Sequence, residues 1–313
     1  MLMWIARRIL ASIPVFLGVA VAVFALLYIM PGDPAAIIAG DNGSDENIAA
    51  IRVQLGLDQP PLARLVQWLG ALLTGDMGTS LFTQLPVTTM IVQRLAPTLS
   101  LAACAMVFSL LFAIPLGVVA AWRSGSTIDR GAMLFAVIGF SIPSFVLAYV
   151  LIFTLSVELR WLPVQGYIPL SAGFVPFARH MVLPSLALGL IYSALLARVT
   201  RASMLEVLQQ DFIRTAHAKG VPNRLVLLRH ALGNAMVPIV TVVGLGVSLL
   251  LGGVIVTETV FAIPGIGRLT VDSILRRDYP VIQAVVIISS GVYMVVNLLV
   301  DIAYALLDPR IRQ

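Results

Sequence analysis

Six stretches of this chain carry no aspartate, glutamate, lysine or arginine for long enough to cross a lipid bilayer. They run from Ile9 to Gly32, Leu95 to Trp122, Gly131 to Val157, His180 to Ala197, His230 to Thr257 and Tyr279 to Val300. A helix rises 1.5 Å per residue, so roughly 20 apolar residues span a hydrocarbon core about 30 Å thick. His180 to Ala197 is the shortest, and its helix needs to borrow Val199 or Thr200. A seventh uncharged run, Trp161 to Ala178, contains Pro163, Gly166, Pro169, Gly173 and Pro176 and reads as a loop, because those residues interrupt helices. With 59% hydrophobic and only 11% charged residues, no soluble fold could bury the apolar surface. The expectation is an all-α, polytopic membrane protein of one domain, with spans at 9–30, 97–122, 132–156, 180–200, 234–257 and 280–305. No internal repeat is visible.

Orientation follows from the basic residues. With the N-terminus in the cytoplasm, 12 of the 20 lysines and arginines fall inside, and three of the other eight lie in the long first loop, where the bias carries little weight. Arg7-Arg8 before an apolar run resembles the start of a signal peptide, but the run is too long and no small-x-small cleavage site follows, so a retained first helix is expected. The net charge of +5 is explained by an arginine-rich cytoplasmic surface and calls for no nucleic acid. The single Cys104 lies inside the second span, where no disulfide can form within the chain. In the outer loop, residues 31–94, Ser44 with Asp45 and Glu46 makes a helix start that Gly56 ends. Pro61 opens a second helix whose Leu62, Leu65, Val66, Leu69 and Leu72 form a stripe suited equally to the membrane interface or to a cap packed on the bundle.

There is no G-x-x-x-x-G-K-[ST], and the only lysine, Lys219, is followed by glycine, so the chain offers no P-loop for a nucleotide. It has no H-E-x-x-H, C-x-x-C or G-x-S-x-G to seat hydrolytic or metal chemistry. Its polar residues gather instead at 211–230, "DFIRTAHAKGVPNRLVLLRH", which holds five of the charges and two of the three histidines. Phe212 to Ala218 can form a short helix ended by Gly220 in a left-handed C-cap. Pro222 suits the first turn of the next helix, in which Leu225, Leu228 and Leu232 share a face and Arg224 points elsewhere. A loop that merely obeyed the positive-inside rule would explain the arginines but not this placement of Gly220 and Pro222. The segment reads as a rigid cytoplasmic elbow built to dock a protein.

Here the chain resembles the membrane permeases of ABC importers, in particular the first permease subunit of the dipeptide/oligopeptide/nickel subfamily. Importer permeases carry a cytoplasmic E-A-A-x-x-x-G followed by I-x-L-P. This chain has Arg214-Thr215-Ala216, Gly220 and His230-Ala231-Leu232-Gly233, lacking the glutamate, isoleucine and proline, as is usual in the peptide branch with its "RTAxAKG". "MPGDP" at 30–34, "GDMGTS" at 75–80, "LLGGVIVTETVFAIPGIGRL" at 250–269, "RRDYPVIQA" at 276–284 and "LDPRIR" at 307–312 resemble the same subfamily. The resemblance implies that the 201–230 loop is a coupling helix, with Arg214, Thr215, Ala216, Ala218, Lys219, Gly220 and Arg224 against an ATPase. It further implies a heterodimer with a second, homologous permease, two ABC ATPase subunits that hold ATP and Mg, and a periplasmic substrate-binding protein. The cargo implied is di- or oligopeptides, with glutathione, a nickel chelate or an opine as alternatives. The chain itself would then hold no cofactor and catalyse nothing, and would sit in a bacterial inner membrane with both termini cytoplasmic.

Single residues suggest a translocation path or gate. Asp301 is the one carboxylate inside an expected span, with Asn297 a turn before it. Depth makes it a functional candidate, while the sequence shows no further residues for a proton relay, which favours a bond to a neighbouring helix. "SIPSF" sets Pro143 between Ser141 and Ser144, where a kink would open toward a cavity. Glu258, with "FAIPGIGRL", falls at the outer end of span five, where a binding protein could dock or a gate close, or where a plain interhelical loop could lie. His180, at the start of span four, has no second ligand in view and reads as structural. An ATP-independent secondary transporter would show paired broken helices or several intramembrane charges, and an intramembrane enzyme would need a nucleophile–base pair that cannot be assembled here. Cysteines placed at Asn42 and Asn223, in a Cys104→Ala background, are expected to label from opposite faces of the membrane. Labelling of both from one face overturns the topology.

Overall fold

Three helices in this chain start where a short polar side chain accepts a free N–H group, and others start at proline or glycine with no side-chain cap. The structure, a computed structural model, describes residues 2–29, 33–40 and 44–307. Met30 to Gly32 of "MPGDP", Asn42, and residues 308–313, which include most of "LDPRIR", lie outside them. The first elements are α1 (Leu2–Ile29), α2 (Pro34–Ala39), α3 (Asp45–Gln54), α4 (Pro61–Leu73), α5 (Val87–Trp122) and α6 (Thr127–Ser141). Then come α7 (Ser144–Leu151), continued by a π-helical turn at Ile152–Glu158, and α8 (Phe174–Leu208). α9 (Asp211–Ala218) is followed by the single turn α10 (Asn223–Leu225), a second π-helical stretch at Val226–Ala231, α11 (Leu232–Val260), α12 (Ile266–Arg276) and α13 (Tyr279–Leu307). Among the described residues no strand forms, only an isolated antiparallel bridge between Thr79 and Pro86. Asp33, Ser44 and Ser126 cap α2, α3 and α6, accepting from the N–H groups of Ala35, Asn47 and Asp129.

Among the described residues five helices are long and apolar enough to span a membrane, or six if the bent α6–α7 pair counts as one span. The stretch expected at 132–156 is two helices meeting at 105°, broken at Ile142-Pro143, rather than one kinked helix. Pro143 has extended backbone and precedes the first turn of α7, so its missing N–H falls where a helix needs none. The chain groups into two compact units, Met1–Leu95 with Leu269–Val295, and Ala96–Arg268 with Val296–Gln313.

In the first unit, Phe24 of α1 packs on Trp68 of α4 with ring centroids 5.7 Å apart, and the Arg64 guanidinium lies over the Phe24 ring at 5.3 Å. α4 buries no residue fully; Leu62 and Val66 of its stripe stay exposed, as does Leu73. The helix thus packs on α1 through Trp68 and Arg64 while part of its apolar stripe stays uncovered. Arg52 pairs with Asp33 and holds its carboxyl below the ordinary aspartate range. Two motifs far apart in sequence are locked together: buried Asp278 of "RRDYP" accepts from the Ser80 hydroxyl and from the Leu81 N–H at 3.1 Å. Arg276 lies over the ring of Phe82 at 4.1 Å beside this lock.

In the second unit α8 is the axis, its Leu183, Leu188, Tyr192, Leu196 and Met204 buried along one run. Close approach replaces large interlocking side chains here. A Cβ on Gly189 would come within 2.8 Å of Phe108 and 3.0 Å of the Ala105 carbonyl, and one on Gly117 within 2.6 Å of Thr200. The Ser109 hydroxyl lies 2.8 Å from the carbonyls of both Ala105 and Gly189, a hydrogen bond that joins α5 to α8. At the far end of α8, Arg201 forks onto buried Asp129, which also accepts from the Gly125 N–H at 2.9 Å. Gly189→Val is expected to cost about 2 kcal/mol through overpacking and to lower the melting temperature of the detergent-purified protein. Gly131→Val, where nothing lies within 4 Å, should leave that temperature nearly unchanged.

Candidate functional site

The elbow is built from a short helix with an inner and an outer face. Ile213 and Ala216 of α9 are buried in the second unit's core, three residues apart, so Arg214, Thr215, Ala218 and Lys219 turn outward and are exposed. Two hydrogen bonds close the helix, Gly220 N–H to the His217 carbonyl at 2.9 Å and Val221 N–H to the Ala216 carbonyl at 3.1 Å. This paired closure requires the residue between to be left-handed, and Gly220 has φ +76°. No atom lies within 4 Å of where a Gly220 Cβ would sit, so within the chain the demand for glycine is its backbone angle rather than crowding. Val221 then turns inward to pack on the core.

Three expectations change here. Ala216 is an inward anchor and is not available to a partner. Pro222 stands just before α10 as its cap rather than inside its first turn. Leu225 and Leu228 are about half exposed, while Val226, Leu227 and Ala231 are buried. The π-helical winding of 226–231 places more residues in each turn than an α-helix, so an i, i+3 pattern no longer predicts the inner face. The exposed surface therefore carries Arg214, Lys219 and Arg224 beside Leu225 and Leu228, a cationic and apolar mix.

The sequence pattern gave no sign of the strut that sets the elbow angle. His217 Nδ1 lies 3.0 Å from the Ile213 carbonyl and its Nε2 lies 3.1 Å from the Asn223 side chain, linking α9 to α10 across the glycine. Its signal was the spacing of a histidine and an asparagine around "KGVP", which identifies no chemistry by itself.

The residues expected to line a path separate into three places. The Ser141 hydroxyl donates to the Val137 carbonyl one turn back at 2.8 Å and is exposed at the end of α6. Pro143 and Ser144 line a cavity of 280 Å³ with Phe140, Leu188, Tyr192 and Leu250, so the break in the third span does face a space. Asp301 is partly buried on α13. Glu258 is not at an accessible outer surface: it is 0% exposed and accepts from the Thr98 hydroxyl at 2.5 Å and the Arg268 N–H at 3.0 Å. Thr98 in turn accepts from the Ile266 N–H at 2.8 Å. The two side chains together cap the start of α12, where unpaired N–H groups and the helix dipole favour a carboxylate. The glycines of "PGIG" make room for this, since a Cβ on Gly265 would fall 2.0 Å from a Glu258 oxygen and one on Gly267 2.6 Å from the Ile255 backbone. Among the described residues no three His, Cys, Asp or Glu side chains converge as metal ligands.

Glu258→Ala should leave the α12 N–H groups unmet in a buried site and cost about 2–3 kcal/mol, read as a fall in melting temperature. Glu258→Gln keeps an acceptor and should cost less. Combined with Thr98→Val, either change should be less than additive, because the two side chains share one task.

Two family models match the chain. The N-terminal model of binding-protein-dependent transport system membrane components covers residues 1–102, and the inner membrane component model covers residues 113–313. A Sinorhizobium fredii protein named as a probable peptide ABC transporter permease is 48% identical over 99% of this chain and 99% of its own length. A glutathione transport system permease of Salmonella typhi is 45% identical over 100% of this chain and 99% of its own. With matches that run through both the elbow and the Glu258 turn, the chain belongs to the family of binding-protein-dependent transport system inner membrane components.

Proposed function

We propose that this chain is the membrane-spanning permease subunit of an ATP-driven importer that carries di- or oligopeptides from a periplasmic binding protein into the cytoplasm. Relatives named for peptide transport support the cargo class, and the Salmonella relative named for glutathione, itself a tripeptide, falls within it. The observation that carries the mechanism is the elbow: a helix anchored inward by Ile213 and Ala216 that presents Arg214, Thr215, Lys219 and Arg224 to the outside. It lies between the end of α8 and the start of the run leading into α11, so a displacement of α9 is passed to two spanning helices at once. A second, homologous permease completes the membrane channel. Two ATPase subunits hold ATP and Mg, and their closure pushes on α9, while the chain itself performs transport and no chemistry. The setting is a bacterial inner membrane, with the elbow and both termini in the cytoplasm and the "GDMGTS" loop outside. Exchange between the two facings alters the cavity at the Pro143 break, where Ser144 and Tyr192 lie at the wall.

Gly220→Val tests this reading. A β-branched residue is strongly disfavoured at positive φ, so the closure of α9 should be re-aimed while the bundle keeps its contacts. Expression and pairing with the second permease should stay near normal, and substrate-stimulated ATP hydrolysis and uptake should both collapse. Arg224→Glu should weaken ATPase association, more so at low salt, where surface charge is least screened. Wild-type uptake and ATPase stimulation by the Gly220→Val complex would return this segment to a basic connector.

A further inference from the structure

At the end of α8 opposite the elbow, a basic cavity stands apart from everything assigned above. The chain leaves the π-helical turn at Glu158, folds through the Pro-rich loop and enters α8 at Phe174. Arg160, Arg179 and His180 line one cavity of 420 Å³ there, with Leu162, Pro163 and Val175 supplying its apolar wall. Among the described residues no carboxylate pairs with either arginine. Arg179 uses one donor on the Trp161 carbonyl at 3.2 Å, leaving most of its guanidinium free. His180 Nδ1 donates to the Pro176 carbonyl at 2.9 Å, which fixes the ring and leaves Nε2 without a hydrogen bond in the chain.

Arg160 has φ +55°, and the turn around it is closed by Trp161 N–H on the Leu155 carbonyl at 2.9 Å. Glycine is the ordinary occupant of such a position, and Gly220 fills the matching one on α9. An arginine kept in that conformation is strained, which points to a use for its side chain. The rim adds the second half of the chemistry. Trp161 is 63% exposed and Phe174 72% exposed. Trp161 lies just past the π-helical turn that ends at Glu158, and Phe174 begins α8, which is long and apolar enough to span a membrane. Exposed aromatic side chains at the end of such a helix suit the lipid headgroup layer.

We propose that this cavity binds an anionic phospholipid of the leaflet opposite the elbow, its phosphate held by Arg160 and Arg179 and its upper acyl chain against Leu162 and Val175. Guanidinium forks match phosphate oxygens, and the half-apolar wall suits a molecule that continues as a chain. An acidic protein surface would use the arginines but would leave the aromatic rim unexplained. The site rests on the chain's membrane-spanning fold and is independent of the cargo.

The test uses the purified permease complex in nanodiscs of phosphatidylcholine doped with phosphatidylglycerol, followed by detergent washing and mass-spectrometric counting of retained phosphatidylglycerol. Arg160→Gln with Arg179→Gln should lower retention about tenfold, as expected for two lost charge-assisted contacts. Arg160→Gly should lower it about threefold while thermal stability holds or rises, because glycine relieves the left-handed strain. Excess glycerol phosphate should not displace the lipid. Wild-type retention by either variant overturns the proposal. So does displacement by glycerol phosphate, which marks a soluble-anion site, or loss of binding-protein affinity with lipid retention unchanged, which marks an acidic protein contact.

Discussion

Helices in hydrocarbon gain little by hiding apolar side chains from one another, since lipid is as apolar as leucine; they associate by approaching closely. The second unit depends on that constraint. Gly117 and Gly189 let α5 lie against α8, Gly139 lets α6 approach Ala194, and Gly246 leaves room for the Tyr192 ring. Each glycine removes a side chain where two backbones or a backbone and a ring must meet. The Ser109 hydroxyl between the Ala105 and Gly189 carbonyls is short enough to bridge the gap only because the gap is small. The cavity at Pro143 interrupts this tight packing where the stretch at 132–156 breaks.

Charge is handled by a second rule, that a buried carboxylate persists when several donors satisfy it. Asp278, Glu258 and Asp129 are each under 5% exposed, and each accepts from at least one backbone N–H at a turn as well as from a side chain. None sits in mid-helix facing lipid. Their task is to fix the turns between spans, which must hold their shape if a push at one end of a helix is to arrive at the other.

The all-helical fold and its long apolar helices were legible because charge-free runs of bilayer length have few other uses, but the 105° break within 132–156 was read only as a kink. Helix starts at Ser44 and Pro61 were legible because capping is local chemistry. The inner face at 226–231 was not, since periodicity assumes an α-helix and the winding there is π. Glu258 does lie at the end of its span, but its burial was not legible, because only the fold brings Thr98 and the α12 N–H groups to it. The elbow was legible in outline from Gly220, but Ala216 faced the wrong way, because a triplet motif does not say which of its members faces in.

The helix ends show why Gly220 differs from its counterparts. α9, α11 and α12 all close with the same paired hydrogen bonds around a left-handed residue: Gly220, Ala262 and Arg277. In each case the following side chain is swung inward and becomes an anchor, with Val221 packed on the core, Ile263 fully buried and Asp278 locked to Ser80. α3 and α4 close in the same way around Gly56 and Gly75, and at α9, α11 and α12 the closure turns a helix end into a fixed point. Two of these ends bear the strain of a side chain at positive φ. At the elbow the strain is absent, and so is the side chain, although nothing in the chain would obstruct one. Gly220 thus differs from Ala262 and Arg277 and matches Gly56 and Gly75, closing a helix with unstrained backbone, here in an exposed turn.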